Sequence, residues 1–514
     1  MTESVQTDVL IVGAGPSGLT LACSLARAGV SFHLIDRIAG RSPHSRALVI
    51  HLRSREILDQ LGAASELAEA GNDVAGVRAH AARKKRLELD LFEDKLEGCR
   101  FERPLFVEQD RTERALDRCL AGMGFAARFG HELVEFEERG DGVRAVCRDD
   151  GGRTYAVECR YLVGCDGAHS TVRRQKDIPF QGAKYAQDFL LADLDLDWTE
   201  RRDLFFAFLD RKGFMAMFPM RDRTRLVTAG GRQRADSSEP TLEDFERVVA
   251  RLMPYDTRLS NPTWITRFRL HHRIARRFAA GRVCLVGDAA HIHSPVGGQG
   301  MNTGIGDAWN LGWKLAWALR CPDARRAADL VESYHEERFP IARQLIRTTD
   351  RAFNLVSGSS WFAQIARGLL APLGLRALSL LARLPSLRRF AVVRVSQLAI
   401  HYRRSRLSGP HPIWKRFHRG PRPGDRMPDL LVDGRWLHQS LDPLRPTLLI
   451  AGPGATAPGR CLPLSLREPT DEDRRLLDIR DGGVFLIRPD GHLAARAASS
   501  ADLARSNLLP YSPD

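Results

Sequence analysis

Residues 8–36 read DVLIVGAGPSGLTLACSLARAGVSFHLID and indicate the fold class. The short apolar run at 9–12 is typical of a buried parallel strand. It leads into three glycines at G-x-G-x-x-G spacing. Gly13 permits a tight turn, Gly15 lets a phosphate approach the backbone, and Gly18 lets the following helix pack on the strand. The helix N-terminus offers amide donors and a positive dipole to that phosphate.

A second strand completes this β-α-β unit. The helix is expected to end at Gly29, and the strand that follows ends at Asp36. An acidic residue about 20 positions beyond such glycines is placed to accept a hydrogen bond from a ribose. The strand context and the acidic residue together predict a bound dinucleotide.

Two later stretches repeat the pattern of a buried strand that meets glycine and aspartate. In 161–174, YLVGCDGAHSTVRR, the strand is followed by Asp166-Gly167 and a helix start. In 281–316 the strand runs into Gly287-Asp288, a Gly/Pro-rich turn and a helix. A carboxylate at a strand's carboxyl end beside a glycine turn suits a ligand that needs hydroxyl capture and close backbone approach.

Composition favours a multidomain globular protein. A chain of 514 residues predicts two or three domains, and 43% hydrophobic with 27% charged residues is ordinary. The formal net charge is +14, but the arginines are scattered rather than clustered into a stripe with interleaved aromatics, which argues against a nucleic-acid partner. Nine cysteines without a C-x-x-C predict reduced thiols in a cytoplasmic protein. No export signal or integral membrane segment is expected.

The middle of the chain predicts a second sheet. Residues 74–107 alternate apolar and polar, and a helix is expected from Gln109. Residues 178–279 contain strand-like runs without β-α-β alternation, which predicts an antiparallel sheet continuing 74–107. Seven bulky side chains there either line an apolar ligand cavity or, as the favoured interpretation of each, pack in the core: Phe205, Phe206, Phe208, Phe214, Met215, Met217 and Phe218.

Other segments leave more than one interpretation. Arg53 either contacts the pyrophosphate or gates the ring site, or lies on a helix surface. Residues 355–400 are apolar but interrupted by arginine and proline, which favours packed helices over a membrane-surface helix. Residues 401–429 are rich in Pro, Gly and Arg and predict a linker. The short strands and the tight turn at 488–491 beyond it predict a small third domain.

The three motifs together resemble those of the class A flavin-dependent aromatic hydroxylases, which are single-component FAD-binding monooxygenases. G13-A-G-P-S-G18 with Asp36 resembles their ADP-binding motif, and C165-D-G-A-H-S170 resembles the motif implicated in FAD and NAD(P)H contacts. G287-D-A-A-H291 resembles the third motif, whose Asp288 would bind the ribityl chain.

The resemblance covers nearly the whole chain. Arg46 lies in the Arg-Ala pair of the loop over the flavin, and Gln109 falls at an FAD-contacting glutamine. Pro295 and residues 298–302 match the loop along the isoalloxazine ring. The cofactor-binding residues implied are Gly13, Gly15, Pro16, Ser17, Gly18, Asp36, Arg37, Arg46, Gln109, Asp166, Gly167, Asp288, Pro295, Gly298, Gly300, Met301 and Asn302.

The resemblance implies an oxidoreductase that binds FAD tightly and NAD(P)H transiently. A flavin C4a-hydroperoxide would transfer one oxygen atom from O₂ to a phenolic or polyketide-like aromatic ring. No catalytic base is identified. His291 and His293 with Asp288 invite a metal interpretation, but no further ligand cluster is near, so no metal is expected.

The implied fold class is α/β. A Rossmann-like, three-layer ββα FAD-binding domain would comprise 1–74, 107–177 and 280–350. An inserted substrate domain on an antiparallel sheet would comprise 75–106 and 178–279. A helical region and linker at 351–417 would precede a thioredoxin-like domain at 418–514, as in phenol and aromatic-polyketide hydroxylases. That domain lacks C-x-x-C, so we expect a structural or oligomerisation role, with a homodimer as one option.

Two alternatives stay open. The same fold could catalyse Baeyer–Villiger insertion, epoxidation or oxidative decarboxylation. A non-catalytic flavoprotein would show no substrate-stimulated NAD(P)H oxidation. The signatures of class B Baeyer–Villiger enzymes and of flavin halogenases are absent from the sequence.

Overall fold

The computed structural model describes residues 4–42, 45, 47–198, 200–229, 239–294, 297–357, 371–408, 420–452, 460–480, 482–497, 503 and 508–512. Within these ranges the helices are α1 (Pro16–Arg27), α2 (Leu52–Gln60), α3 (Ala64–Ala70), α4 (Gln109–Gly122), α5 (Thr171–Gln175), α6 (Leu242–Leu252), α7 (Gly300–Arg320), α8 (Ala324–Ser357), α9 (Ala371–Leu381), α10 (Pro385–Val395) and α11 (Asp471–Leu477).

A six-stranded sheet lies at the centre of the part of the chain that carries the three glycine motifs, which we call the nucleotide-binding half. In spatial order its strands are Ala279–Ala280, Val283–Leu285, Tyr161–Gly164, Val9–Val12, Phe32–Asp36 and Arg128–Phe129. All neighbouring strands run parallel except the first pair, which is antiparallel. The three strands that precede the glycine motifs are therefore adjacent and parallel, so the motifs emerge at the same edge of the sheet.

A four-stranded sheet and a helical layer cover this central sheet. The four strands are, in order, Ser4–Gln6, Thr154–Cys159, Gly142–Arg148 and Glu132–Arg139. Their apolar side chains share one core with the central sheet and with α1, α4 and α7. The predicted mixed α/β architecture of the nucleotide-binding half is confirmed.

An eight-stranded sheet forms the second large element. Its order is His291–Ile292, Leu259–Ala275, Phe180–Leu196, Thr224–Ala229, Phe214–Pro219, Leu204–Leu209, Gly76–Ala81 and Lys84–Leu89. Its strands come from 76–89 and 180–275, as predicted, with His291–Ile292 added at one edge. One pair differs from the antiparallel prediction, because Leu204–Leu209 runs parallel to Gly76–Ala81. More than a hundred residues separate those two strands, so no hairpin imposes the antiparallel direction.

The two faces of this sheet bury different side chains. Phe206, Phe208, Met215 and Met217 pack in a core with α6. On the opposite face, Phe205 and Phe218 contact the cluster of Leu48, Val49, Val74, Phe106 and Met220, and Phe214 packs against Phe189. The strand period of two therefore divides the seven predicted side chains between a helix-covered core and the face that meets the nucleotide-binding half.

The remaining sheets are smaller. Val49–Ile50, Leu105–Phe106 and Asn72–Asp73 form a three-stranded sheet in which the second strand is central. A hairpin pairs Leu431–Val432 with Arg435–Trp436. The C-terminal sheet has the order Leu462–Leu466, Thr447–Ala451, Gly483–Ile487 and Leu493–Ala497, in which only the first pair is parallel. No described helix is both long and apolar enough to cross a membrane.

Candidate functional site

The first glycine turn is packed against the second. Gly13 has φ of +108°, and a Cβ at this position would lie 2.3 Å from the Cys165 carbonyl oxygen. A Cβ on Gly18 would lie 1.9 Å from the carbonyl oxygen of Gly13. A Cβ on Gly15, in contrast, would meet nothing within 4 Å. Two of the glycines therefore permit close packing, and the third faces open space at the start of α1.

The N-terminus of α1 has the backbone features of an anion-binding site. Pro16 occupies the first turn, and no side chain caps the helix at Gly15. The free amides of the first turn and the helix dipole thus point into the space above Gly15. A pyrophosphate fits this arrangement, because it needs backbone donors and room without a side chain.

Asp36 lies beside this turn, at the end of the strand Phe32–Asp36. Its carboxylate accepts hydrogen bonds from the backbone N–H of Ala14 at 2.7 Å and of Ile38 at 3.1 Å. Asp36 is half-buried, whereas Arg37 is exposed. The carboxylate is thereby held at the edge of the glycine turn with lone pairs left for a hydroxyl donor.

The second motif forms the adjacent turn. Asp166 accepts from the backbone N–H of Thr171 at 2.6 Å and of Val172 at 3.2 Å, at the start of α5. Burial raises the pKa of Asp166, and these hydrogen bonds oppose the rise. Gly167, with φ of +73°, makes the turn possible. One carboxylate oxygen, Oδ2, thus shapes the backbone, whereas the buried Oδ1 has no hydrogen-bond partner among the described residues.

The third motif interlocks with the first through Ser17. A Cβ on Gly287 would lie 2.6 Å from Ser17 Oγ, and one on Gly304 would lie 2.3 Å from the same atom. Gly287 also adopts φ of +61°, which favours glycine. Asp288 follows in a short 3₁₀ turn and is exposed. The first motif thus contacts the other two, so the three motifs lie together at one edge of the central sheet.

His291 belongs to a buried ion network beneath this site. Its Nε2 lies 2.6 Å from Asp307 Oδ2, and Arg338 Nε donates to the other oxygen of Asp307 at 2.6 Å. His291 is thus hydrogen-bonded within the protein.

Among the described residues only Glu56, Asp429 and His438 cluster as the ligands of a metal ion would. Arg426 and Arg53 already pair with Glu56.

The loop before α7 is fixed to the strand Val49–Ile50. Gly298, with φ of +62°, approaches so closely that a Cβ there would lie 2.7 Å from a methyl carbon of Val49. The Asn302 side chain donates to the carbonyls of Val49 and Gly298, both at 2.8 Å, and accepts from His51 N–H at 2.8 Å. Asn302 therefore shapes this loop by its side chain.

The same loop opens α7 without a side-chain cap. Gly300 is the first residue of the helix, and Met301 is buried in its first turn. His51 lies 2.7 Å from the Gly297 carbonyl through its Nε2, and burial lowers its pKa to about 4, so this ring is neutral at pH 7. The first-turn amides are the donors this loop offers to a ligand. Pro295 and Arg46 lie outside the described residues.

A polar cavity of about 510 Å³ separates α4 from the eight-stranded sheet. Gln109 begins α4 and donates to Glu113 at 2.8 Å, so its side chain lies along the helix. Ser45 and Asp110, which are sequence neighbours of Arg46 and Gln109, line one wall of the cavity. The cavity is lined by Ser45, Glu108, Asp110, Arg111, Arg114, Asp193, Arg223 and Arg225.

Asp193 and Arg225 are site residues that sequence reasoning missed. They form two hydrogen bonds of 2.6 Å, and Arg225 lies 5.5 Å from the centre of the Trp264 ring. Their side chains are almost fully buried, on the sheet face that carries Phe189 and Leu191. The available signal was a charged residue within each of two largely apolar runs, Asp193 in DFLLADLDL and Arg225 in RTRLVTA.

Arg53 differs from both interpretations given to it. It is buried, pairs with Glu56 at 2.8 Å and donates to the Asp490 carbonyl oxygen at 2.6 Å. It therefore joins α2 to the tight turn of the C-terminal region. Neither a pyrophosphate contact nor a surface position describes it.

Comparisons with known proteins agree with this geometry. The FAD binding domain family matches residues 6–349. The chain is 34% identical to 6-methylpretetramide 4-monooxygenase of Streptomyces rimosus, over 99% of this chain and 95% of that protein. It is 31% identical to pentachlorophenol 4-monooxygenase of Sphingobium chlorophenolicum, over 100% and 97%. The solved structure of the anhydrotetracycline hydroxylase OxyS from Streptomyces rimosus aligns with a TM-score of 0.73 and 29% identity, covering 96% of each chain.

These matches and the three converging motifs define a flavin-dependent monooxygenase. The chain belongs to the class A flavin aromatic hydroxylase family. Its cofactor is FAD, and the uncapped α1 N-terminus with the open space at Gly15 fits that group.

Proposed function

We propose that the protein hydroxylates a phenolic or polyketide-like aromatic molecule at the expense of NAD(P)H and O₂. The observation that carries this proposal is the cavity between α4 and the eight-stranded sheet, with a buried arginine–aspartate pair in its wall. Relatives named for 6-methylpretetramide and pentachlorophenol support an aromatic substrate with phenolic oxygens.

The proposed FAD contacts follow the three motifs. Gly13 to Gly18 receive the pyrophosphate, Asp36 the ribose and Asp288 the ribityl chain. Asp166, Gly167 and Gln109 line the path between them, and the first-turn amides of α7 face the ring; Arg46, which lies outside the described residues, is kept as a predicted contact from sequence. Bound FAD supplies the activation of O₂ and the transfer of one oxygen atom.

The substrate is positioned by the eight-stranded sheet. Arg225 holds a phenolic oxygen and favours its ionised form, which makes the aromatic ring richer in electrons. Asp193 fixes the guanidinium plane through two hydrogen bonds. Phe189 and Phe214 lie on the same face of the sheet and offer an apolar surface near the pair.

We also propose the domain division given by the sequence, with a thioredoxin-like domain from residue 418. The mixed four-stranded C-terminal sheet, with its parallel first pair and antiparallel third and fourth strands, supports this assignment. A dithiol reaction is not part of the proposal, because Cys461 is a buried free cysteine. Nine free cysteines support a cytoplasmic location.

The test is oxygen-dependent oxidation of NADH and NADPH by the purified yellow protein across a panel of phenols. We expect substrate-stimulated turnover and a product heavier by one oxygen atom on the aromatic ring. An ester or epoxide product would favour the alternative oxygenations. A protein that retains FAD but shows no stimulation by any phenol in the panel would contradict the proposal.

A further inference from the structure

Helices α9 and α10 expose an unusual number of apolar side chains. Ten large apolar residues are exposed in the described part of the chain, and eight of them lie between residues 373 and 395. We call the following residues the leucine–arginine patch: Leu373, Arg376, Leu378, Leu380, Leu381, Arg383, Leu384, Leu387 and Phe390. Monomeric proteins rarely expose so concentrated an apolar surface, and such surfaces mark interaction sites.

The patch is held by the opposite side of the two helices. Ala382 and Val392 are buried, and α9 packs against the strand Lys84–Leu89. Arg388 pairs with Glu93 at 3.2 Å and also with Asp94. The segment is thus anchored to the eight-stranded sheet with its leucines directed outward. The predicted packed helices therefore do pack by one side, while their other side exposes the leucines.

The formal positive charge of the chain is concentrated in the stretch of sequence that contains this patch. Residues 351–424 contain 14 lysines and arginines and no aspartate or glutamate. That number equals the formal net charge of +14, so the rest of the chain is neutral overall. Arg376 and Arg383 have no carboxylate within 4 Å in the ranges that the structure describes. Arg388, Arg389 and Arg406 of this segment pair with carboxylates elsewhere in the chain, whereas the exposed Arg376 and Arg383 remain for a ligand.

One kind of partner matches both features. A second copy docked symmetrically on this patch would bring the same arginines together, and like charges repel. A nucleic acid would satisfy the arginines but offers no apolar layer for the leucines. An anionic bilayer offers phosphates to the arginines and acyl chains to the leucines.

We propose that the leucine–arginine patch binds the surface of an anionic phospholipid bilayer. Both helices then lie in the plane of the headgroups, with the leucines in the upper acyl layer. The proposal stands apart from the hydroxylase reaction, since no residue of the patch lines the cavity.

Vesicle co-sedimentation of the FAD-loaded protein tests the proposal. The probes are equimolar phosphatidylglycerol/phosphatidylcholine vesicles and pure phosphatidylcholine vesicles, at low and high salt. We expect binding to the anionic vesicles at low salt and little to the neutral ones. Arg376→Gln/Arg383→Gln should weaken partitioning about 25-fold, or about fivefold for each arginine near the surface. Leu380→Asp/Leu384→Asp should abolish it.

Matched controls come from the hairpin at 431–436. Leu431→Asp and Arg435→Gln change exposed residues of the same types outside the patch and should leave binding unchanged. All variants should retain FAD and NAD(P)H oxidation, which shows that they fold. Absence of binding, equal binding to neutral vesicles, or equal loss in the controls would overturn the proposal. So would binding to duplex DNA, or a dimer that the leucine variants dissociate, without vesicle binding.

Discussion

Asp288 is the exposed acid at the carboxyl end of the strand Val283–Leu285. If its carboxylate accepts from the ribityl hydroxyls, Asp288→Ala removes a charge-assisted hydrogen bond, and the dissociation constant for FAD should rise about 10- to 100-fold. Flavin content after purification and fluorescence titration of the apoprotein measure this. Asp141→Ala, in an exposed turn, is the control and should retain FAD. Unchanged FAD affinity in the Asp288 variant would remove this residue from the site.

The Arg225–Asp193 pair gives a test of substrate binding. Arg225→Gln/Asp193→Asn removes both charges together, so that neither remains buried without a partner. We expect the KM of a phenolic substrate to rise about 10- to 100-fold, because a hydrogen bond to a charged group contributes about 1.5–3 kcal/mol. FAD content should not change. The KM of the methyl ether of the same phenol should change little in this variant, since the ether has no anionic form.

A second arginine–aspartate pair, whose aspartate lies on the same strand as Asp193, provides the control for that prediction. Asp188 and Arg269 lie 2.8 Å apart, on the opposite side of the strand from Phe189. Arg269→Gln/Asp188→Asn should leave KM for the phenol unchanged. Equal changes in KM for both double variants would show a general effect on the sheet and would contradict a substrate contact.

At the scale of elements, α1 and α7 cross at a point where only small residues fit. A Cβ at Gly304 would lie 2.3 Å from Ser17 Oγ, so Gly304→Ala should destabilise the protein by about 1–3 kcal/mol and lower FAD retention. Adding Ser17→Ala removes the clashing oxygen and should restore most of the stability. Thermal unfolding of the two single variants and the double variant measures the coupling.

Gly374→Ala is the control for this helix contact. Gly374 lies inside α9, and a Cβ there would meet nothing within 4 Å. Alanine should stabilise that helix by up to about 1 kcal/mol, because glycine loses more backbone entropy. If Gly304→Ala were equally harmless, the close packing of the first and third motifs would be refuted.

These elements also show how far sequence reasoning reaches. The glycine turns were predictable because tight turns and close backbone contacts exclude other residues, as at Gly13 and Gly18. The Asp193–Arg225 pair was not, since it depends on which strands become neighbours in the sheet. Arg53 was misjudged for the same reason, because its partner Asp490 is more than 400 residues away. Local patterns specify elements, whereas long-range pairs require the assembled fold.

At the scale of the whole molecule, a buried charge network joins the C-terminal region to the nucleotide-binding half. Glu337 of α8 accepts from Lys314 of α7 at 2.7 Å and from Arg488 at 2.7 and 2.8 Å. Arg488 also pairs with Asp490 at 2.5 Å. These side chains are fully buried. Because α7 begins at the loop 297–300, which we propose faces the flavin, the C-terminal region helps to fix the position of that helix.

Glu337→Gln tests whether this network supports the whole molecule. It leaves Lys314 and Arg488 short of a counter-charge, and the free energy of unfolding at pH 7 should fall by about 3–5 kcal/mol. Lys314→Met in addition should recover part of the loss. Glu137→Gln, in an exposed ion pair with Arg139, is the control and should cost at most about 0.5 kcal/mol. Urea unfolding measures all four proteins.

The same network predicts how stability depends on pH. Burial alone would raise the pKa of Glu337, but Arg488 and Lys314 outweigh it and lower the pKa from 4.5 to about 2. The folded state therefore holds its proton less tightly than the unfolded state. The stabilisation is complete above about pH 4.5 and is lost as the pH falls from there through 2. The difference corresponds to about 3 kcal/mol for a fully buried group. Wild type should lose this stability over that window, whereas Glu337→Gln should show a shallower acid dependence. Parallel acid dependences in the two proteins would contradict a charged Glu337 as the link between the two parts of the chain.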